Sequence, residues 1–440
     1  MSNVKFLKLT LKQAIDEANA NRCDFVHNPD KDFTRNRKIS FDELVKFIMT
    51  MGAGSLKDEI YDYYGLKLDN PTSPAIILQR EKIKPDAFEW IFKRFNELTK
   101  PKMPVLFNGF RLMAIDGCCS RISKDRNDKL TYVAKSDYCA FHLNASYDLL
   151  AHTYDDVIIQ GEAFKNENGA FNDLVDRYQG EKAIFIADRG YESINSFEHV
   201  RKSGNYFLIR VKDIDSSTSV CQSFGLPDEG EFDVDVRRIL TRRNTNEIKA
   251  HPEIYKFMPS NQRFDFFGDE KFYDFECRIV RCKVKDKGET EESWCTIFTN
   301  LDRDWFSPET IKDLYHLRWG EETSFRELKY AVNMNAFHSK RRDLILQEIY
   351  ARMLFYNFSE RIIRKVKPRK VRDNSKYVYQ INSTRAFHNI RTYLKCLKKN
   401  NEKIDIEAII AKELEPVRGG RSFERNIKVK SSIPFIYRFV

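Results

Sequence analysis

In the stretch YHLRWGEETSFRELKYAVN, residues 315–333, four side chains able to handle phosphate or its counter-ion fall on one line. Read as a helix at about 100° per residue, Tyr315, Arg318, Glu322 and Lys329 stand near 0°, 300°, 340° and 320°, an arc roughly 60° wide. A solvated helix spreads its charges over a broad face and keeps its narrow stripe for apolar side chains. An ordinary i,i+4 ion pair accounts for Arg318 and Glu322, at roughly 0.2–0.5 kcal/mol. It leaves Tyr315 and Lys329 unexplained. A carboxylate set among cations and a phenol can hold a divalent cation while its neighbours grip the phosphates. Glu321 and Glu327 lie about 100° and 140° from Glu322, so the periodicity selects Glu322.

Two more carboxylates stand where strands are expected to end. Asp116 closes RLMAID and Asp188 closes KAIFIAD, and the carboxyl end of a strand is where an α/β sheet exposes side chains to a ligand crevice. Each has an ordinary structural reading as well: Asp116 as part of an Asp-Gly turn, Asp188 as a cap for the helix beginning near Ser193. Asp137, Asp155, Asp156 and Glu181 have no better local claim. Three carboxylates from separate elements suffice for two hard cations about 3.5–4 Å apart. One cation lowers the pKa of an attacking water or 3′-hydroxyl, and the other stabilises the leaving oxygen. No His or Cys ligand is required, in keeping with only 8 His and with Cys that form no CxxC pair.

The elements that must position these residues follow from the hydrophobic pattern. Residues 1–100 read as short helices; SFDELVKFIMTM begins on Ser40 with Glu43 three residues on, a capping-box pattern. Arg80, Lys82 and Lys84 make this region compatible with a helix-turn-helix-like DNA module, and a plain helical bundle fits equally. PKMPVLFNGFR (101–111) marks a boundary. Short apolar runs at 111–116, 138–161, 182–188 and 205–212 alternate with helical stretches at 171–179 and 193–203, which indicates a mixed sheet flanked by helices. Residues 213–300 alternate with period two, with a turn at DKGETEE, and read as a β-rich insertion. Helices resume at 307–332 and 340–366. The tract 361–372 carries seven Lys or Arg in twelve residues, either a solvated helix end or a phosphate contact.

The 440 residues are enough for two to four domains, and 42% hydrophobic content is a globular value. Lys and Arg number 75 against 65 Asp and Glu, a net +10 compatible with a polyanionic partner. Nine unpaired Cys fit a reducing cytosol. With no signal-type or membrane-spanning apolar run, a cytoplasmic location is expected.

The pattern Y-x2-R-x3-E-x6-K, intact as Tyr315, Arg318, Glu322 and Lys329, with Asp116 in IDG and Asp188 in IADRGY, resembles the DDE transposases of the insertion-sequence-4 family of bacteria. The resemblance implies an RNase H-like catalytic core, at residues 101–212 and 301–345, interrupted by the β-rich insertion at 213–300. A helical DNA-binding domain at 1–100 and a basic helical region at 346–440 would flank it. It implies Asp116, Asp188 and Glu322 as ligands of two Mg²⁺, with Mn²⁺ able to substitute, and Tyr315, Arg318 and Lys329 on the DNA phosphates. Trp294, in SWCTIFTN, matches a tryptophan that stacks a flipped base, and it fits a half-buried strand tryptophan equally. Arg189 is a further candidate phosphate contact, and Arg80 and Lys82 are the candidates on the suspected recognition helix. Double-stranded DNA, as terminal inverted repeats and target, is the implied partner of a homodimer in the bacterial nucleoid. A metal-dependent nuclease on the same fold and a DNA-binding repressor without catalysis are the rivals. The Cys118–Cys119 pair beside Asp116 reads as packing.

Overall fold

The computed structural model describes residues 2–35, 37–222, 224–284, 292–369, 377–396 and 404–417. Ten strands form one mixed sheet: β1 (Arg111–Ile122), β2 (Tyr132–Val133), β3 (Tyr138–Asp148), β4 (Thr153–Gly161), β5 (Ala183–Ala187), β6 (Tyr206–Val211), β7 (Phe232–Thr241), β8 (Tyr255–Phe257), β9 (Phe272–Val284) and β10 (Ser293–Thr299). Their order is β2-β3-β1-β5-β6-β10-β9-β7-β8, with β4 on the far side of β3. β1, β5 and β6 run parallel; β5, of sequence AIFIA, is buried along its whole length, as a parallel strand covered on both faces must be. The β-rich segment 213–300 is no separate sheet: β10 pairs antiparallel with β6 and carries β9 and β7 outward from the core. The expected turn at DKGETEE falls at 286–292, nearly all outside the described residues.

Alternation along β1 separates the two cores. Met113 and Ile115 face a layer containing Phe171 and Phe197, from the helices spanning 167–177 and 194–202. Leu112, Ala114 and Cys118 face the opposite, larger helical layer.

That larger layer holds the N-terminal helices α1 (Asn3–Ala20), α2 (Arg22–Phe25), α3 (Phe41–Thr50), α4 (Leu56–Tyr64), α5 (Ser73–Arg80) and α6 (Asp86–Leu98). Ser40 caps α3 as expected, accepting from the Glu43 amide, and Ser55 caps α4 in a reciprocal box with Asp58. On the core come α7 (Glu167–Arg177), α8 (Ile194–Lys202), α9 (Asn246–Ala250), α10 (Pro308–Leu317) and α11 (Trp319–Tyr330). The long α12 (Arg342–Ile363), α13 (Ser383–Cys396) and α14 (Ile406–Ile410) complete the chain's helices among the described residues.

α12 is buried almost end to end and shares one core with α1, α3 and α6. Polar side chains tie the two parts together. Arg80 has no exposed surface; it donates to the Leu344 carbonyl at 2.7 Å, Glu348 Oε1 at 2.9 Å and Gln347 Oε1 at 3.3 Å. This corrects the expectation that Arg80 contacts DNA: a guanidinium buried in an ion pair presents nothing to a phosphate. Lys82, for its part, is not on a helix. It stands in the turn after α5, half-buried, donating to Gln79 Oε1 at 3.1 Å. Of the basic tract 361–372, residues 370–372 lie outside the described residues, and Arg361 turns inward to donate to the Thr99 carbonyl at 3.2 Å.

Candidate active site

β1 outruns its parallel neighbour. It pairs with β5 only through Ile115, opposite Ala187, while β3 stays with it to Ile122. Asp116 therefore does not end its strand, as expected from RLMAID. It is the first residue of β1 past the end of β5, and Asp188 is the first residue after β5 itself. The two carboxylates flank the fork in the sheet, an opening that a parallel sheet makes where one strand stops. Asp188 also caps a short turn, accepting from the Gly190 amide at 2.8 Å.

The expected single helix at 307–332 is two, α10 and α11. At Arg318 the ladder tightens to three-residue bonds: Arg318 N–H donates to the Tyr315 carbonyl at 3.1 Å and Glu321 N–H to the Arg318 carbonyl at 3.0 Å. Gly320, a poor helix former, follows at once; a Cβ there would lie 3.1 Å from Leu149 Cδ2. Arg318 itself keeps right-handed helical backbone angles, and the junction does not scatter the stripe. Tyr315, Arg318, Glu322 and Lys329 all line one cavity of about 800 Å³, together with Asp116, Asp188 and Arg189.

Arg318 is the keystone of that cavity. Its Nη2 donates to Glu322 Oε1 at 3.0 Å and its Nη1 to Asp116 Oδ2 at 3.4 Å, so one guanidinium bridges carboxylates 206 positions apart in the order Asp116 to Glu322. Asp116 is pushed up to about 6, by burial first and by the charges of Asp188 and Glu322, against the pull of Arg318. Crowded carboxylates in a half-dry cleft are what a bound cation relieves, and their oxygens are the hard donors that Mg²⁺ or Mn²⁺ takes. Among the described residues no three His, Cys, Asp or Glu side chains converge on a single ion.

Tyr315 is nearly buried, and its hydroxyl hydrogen-bonds Arg210 of β6. Lys329 reaches the cavity beside β1 and hydrogen-bonds the Cys118 thiol, which burial pushes up. Cys118 thus packs as expected and also meets the stripe. Trp294 lies outside the cavity lining. It is half-buried on β10, with the Arg281 guanidinium 4.1 Å from its ring centre and Lys283 at 5.3 Å. One residue links it to the site: Arg210 Nη2 donates to the Trp294 carbonyl at 3.3 Å.

Arg210, Arg326 and Trp319 are among the cavity residues that were not singled out in the sequence. Arg210 follows two apolar residues in β6, at the alternate position whose neighbours Tyr206 and Leu208 face inward; a cation there, near a strand's carboxyl end, was a usable signal. Arg326 sits four residues after Glu322 and about 20° from Tyr315 on the helical wheel, at the edge of the stripe. Trp319 lies with its ring centre 5.2 Å from the Arg318 guanidinium. Glu321, set aside by periodicity, is fully buried beside the Asp116 backbone. Burial and the Asp116 charge push its carboxyl well above the usual range, against a hydrogen bond from the Asp116 backbone.

Residues 108–358, more than half of the chain, match the family model described as the transposase DDE domain. The fold is also similar to a cryo-EM structure of the piggyBac transposase synaptic complex with hairpin DNA, at 10% identity and a TM-score of 0.46 over 96% of this chain and 87% of that one. A search of curated proteins finds no match.

Proposed function

This chain belongs to the family of transposases with a DDE domain, and from that premise we propose that it is a cut-and-paste transposase of an insertion sequence of the insertion-sequence-4 type. One observation carries the reading: Asp116, Asp188 and Glu322, from three separate elements, meet in a cavity that Arg189, Arg210, Arg318, Arg326 and Lys329 also line. A pure DNA-binding repressor gains nothing from carboxylates placed where phosphate must approach. Divalent ions held by the three carboxylates, two Mg²⁺ in this reading, supply an activated water or 3′-hydroxyl and charge relief at the leaving oxygen. The chain's own side chains do the rest. Arg318 holds Asp116 and Glu322 in place of the cations and becomes a phosphate contact when they are neutralised. Lys329, held by a weakly accepting thiol rather than a carboxylate, keeps its charge for the DNA. Arg189, exposed beside Asp188, grips the strand at the cavity's rim.

The products of this chemistry would be 3′-hydroxyl ends joined to target DNA, through a hairpin on the transposon end. Trp294 would stack a flipped base there, an aromatic face already backed by Arg281. A homodimer would pair the two ends. The setting would be the bacterial cytoplasm, at the nucleoid; no helix among the described residues is long and apolar enough to cross a membrane.

Two measurements bear on the DNA contacts. Lys329→Ala and Arg318→Ala are expected to weaken assembly with terminal-repeat DNA about 10- to 100-fold, the worth of a charge-assisted hydrogen bond of roughly 1.5–3 kcal/mol. Thr323→Ala, exposed on the same helix, should leave it unchanged. Glu327 is no control, since Tyr356 OH donates to its Oε2 at 3.1 Å from the buried side. Equal losses at Thr323 and Lys329 would remove the stripe from the DNA.

The second separates transposase from nuclease, and it needs the full chain, because residues 1–100 share their core with α12. The protein is expected to shift DNA carrying the element's terminal inverted repeats in preference to scrambled DNA, with affinity falling steeply as salt rises. With Mg²⁺, cut ends should be recovered joined to a second DNA. Cleavage of both DNAs alike, with no joined product, would place the chain among the nucleases.

A further inference from the structure

Behind the fork, on the face of β1 turned away from α11, stands a histidine with a glutamate carboxylate beside each ring nitrogen. His142 of β3 is almost fully buried. Its Nδ1 lies 3.1 Å from Glu162 Oε2 and its Nε2 lies 3.0 Å from Glu167 Oε1. The two glutamates flank the connection from β4 into α7, and Lys165 between them lies 3.3 Å from Glu162 and 3.6 Å from Glu167. In β1 the facing residues are Cys119, in register with His142, and Gly117, in register with Asn144.

Gly117 explains where the imidazole rests. A Cβ built at Gly117 would lie 2.6 Å from His142 Nε2, closer than real Cβ atoms come, and 3.2 Å from Glu167 Oε1. No left-handed backbone calls for this glycine; close approach does. The imidazole occupies the side-chain space of the residue directly after Asp116.

This contact falls where the sheet is weakest. Up to Ile115, β1 is held on both edges, by β3 and by β5. From Asp116 onward β5 is gone, and the strand keeps a sheet neighbour on one edge only. The cavity takes up one face, so the remaining face is the place from which Asp116 can be steadied. His142 covers that face; the hydrogen bond between its Nδ1 and Glu162, with the Glu167 carboxylate packed 3.0 Å from Nε2, limits rotation of its ring. Burial pushes the Glu162 carboxyl up, but the hydrogen bond from His142 and the charges of His142 and Lys165 hold it below the usual range.

We propose that His142, clamped between Glu162 and Glu167, is a positioning residue that acts through Gly117 to fix the backbone from which Asp116 reaches its cation. The inference rests on the reading of Asp116 as a metal ligand. It predicts that loosening the brace costs cation affinity first and leaves the fold and DNA binding in place.

The test is Mn²⁺ binding to the full chain, followed by the electron paramagnetic resonance signal of free Mn²⁺, with thermal unfolding measured alongside. His142→Ala should raise the Mn²⁺ concentration for half-saturation by about 10- to 100-fold, the usual effect of removing a group that orients a metal ligand. His142→Gln, which keeps bulk and one hydrogen bond, should recover most of that loss. Gly117→Ala, whose methyl displaces the ring, should resemble His142→Ala, yet add little to it in the double variant, because the hole is then open. A merely space-filling histidine would lower the unfolding temperature and leave Mn²⁺ half-saturation where it was; that result overturns the proposal. If His142→Ala does not fold, Gly117→Ala decides: a folded Gly117→Ala that binds Mn²⁺ as the wild type does also overturns it. Asp116→Asn separates the two claims. If it binds Mn²⁺ like the wild type, Asp116 is no ligand and the function proposed above fails, whatever His142 does.

Discussion

Asp116→Asn, Asp188→Asn and Glu322→Gln are each expected to lower metal-dependent cleavage of transposon-end DNA by at least about 10³-fold. A metal ligand contributes several kcal/mol of transition-state charge stabilisation, and roughly 4 kcal/mol corresponds to that factor. Each substitution preserves shape and opens no cavity. Asp116 and Glu322 each lose a charged bond to Arg318, at 3.4 Å and 3.0 Å, in a cleft where the guanidinium can turn to water or phosphate. Binding to terminal-repeat DNA should therefore persist, and removing a carboxylate charge from a cationic cleft should strengthen it slightly. Cleavage assays in Mg²⁺ and in Mn²⁺, beside gel shifts without metal, check both halves. A variant that cuts at near the wild-type rate would show that its residue is not a ligand.

Glu348→Gln is expected to destabilise the chain by about 3–5 kcal/mol, the range for breaking one side of a buried ion pair. Glu348 has no exposed surface; it pairs with Arg80 at 2.9 Å, His338 at 3.0 Å and Arg352 at 3.6 Å. Neutralising it leaves the Arg80 and Arg352 charges buried without their carboxylate. Arg352 donates to the carbonyls of Met51, Gly52, Val332 and Ala336, so the damage spreads from α12 to the N-terminal helices and to the turn that follows α11. The pH dependence has a definite sign. Burial alone would push the Glu348 carboxyl up, but Arg80, His338 and Arg352 bring it down to about 2. A carboxyl depressed by folding adds stability above its unfolded value of roughly 4.3, and that stability is lost as pH falls through the folded value. The gap between wild type and Glu348→Gln, measured by urea unfolding, should be full at neutral pH and close between about pH 4 and pH 2. A gap that is flat across that range would mean that Glu348 is not charged in the fold.

The sequence by itself determined the local chemistry of this protein: which side chains share the stripe on α10 and α11, and which aspartates follow the apolar runs of β1 and β5. Helical and strand periods are properties of the backbone, so side-chain direction follows from position within an element. Tyr315, Arg318, Glu322 and Lys329 kept one face even though the helix breaks at Arg318, because the one tightened turn there keeps right-handed helical backbone angles. Arg326 was legible by the same arithmetic, and Arg210 by strand alternation. What periodicity cannot supply is the identity of the surface on the far side of a helix. Arg80 read as a DNA contact because an arginine near a helix end is usually solvated; only the approach of α12, more than 260 positions later, buries it against Glu348. Glu321 was turned away from Glu322 correctly, but not seen to lie buried beside Asp116. The end of β5 one residue short of Asp116 was equally out of reach, since where a strand stops depends on its neighbour's register. So were the three legs of the His142 brace, which come from β3 and the two ends of the β4–α7 connection. Long-range pairing decides those contacts, and a local pattern carries no record of it.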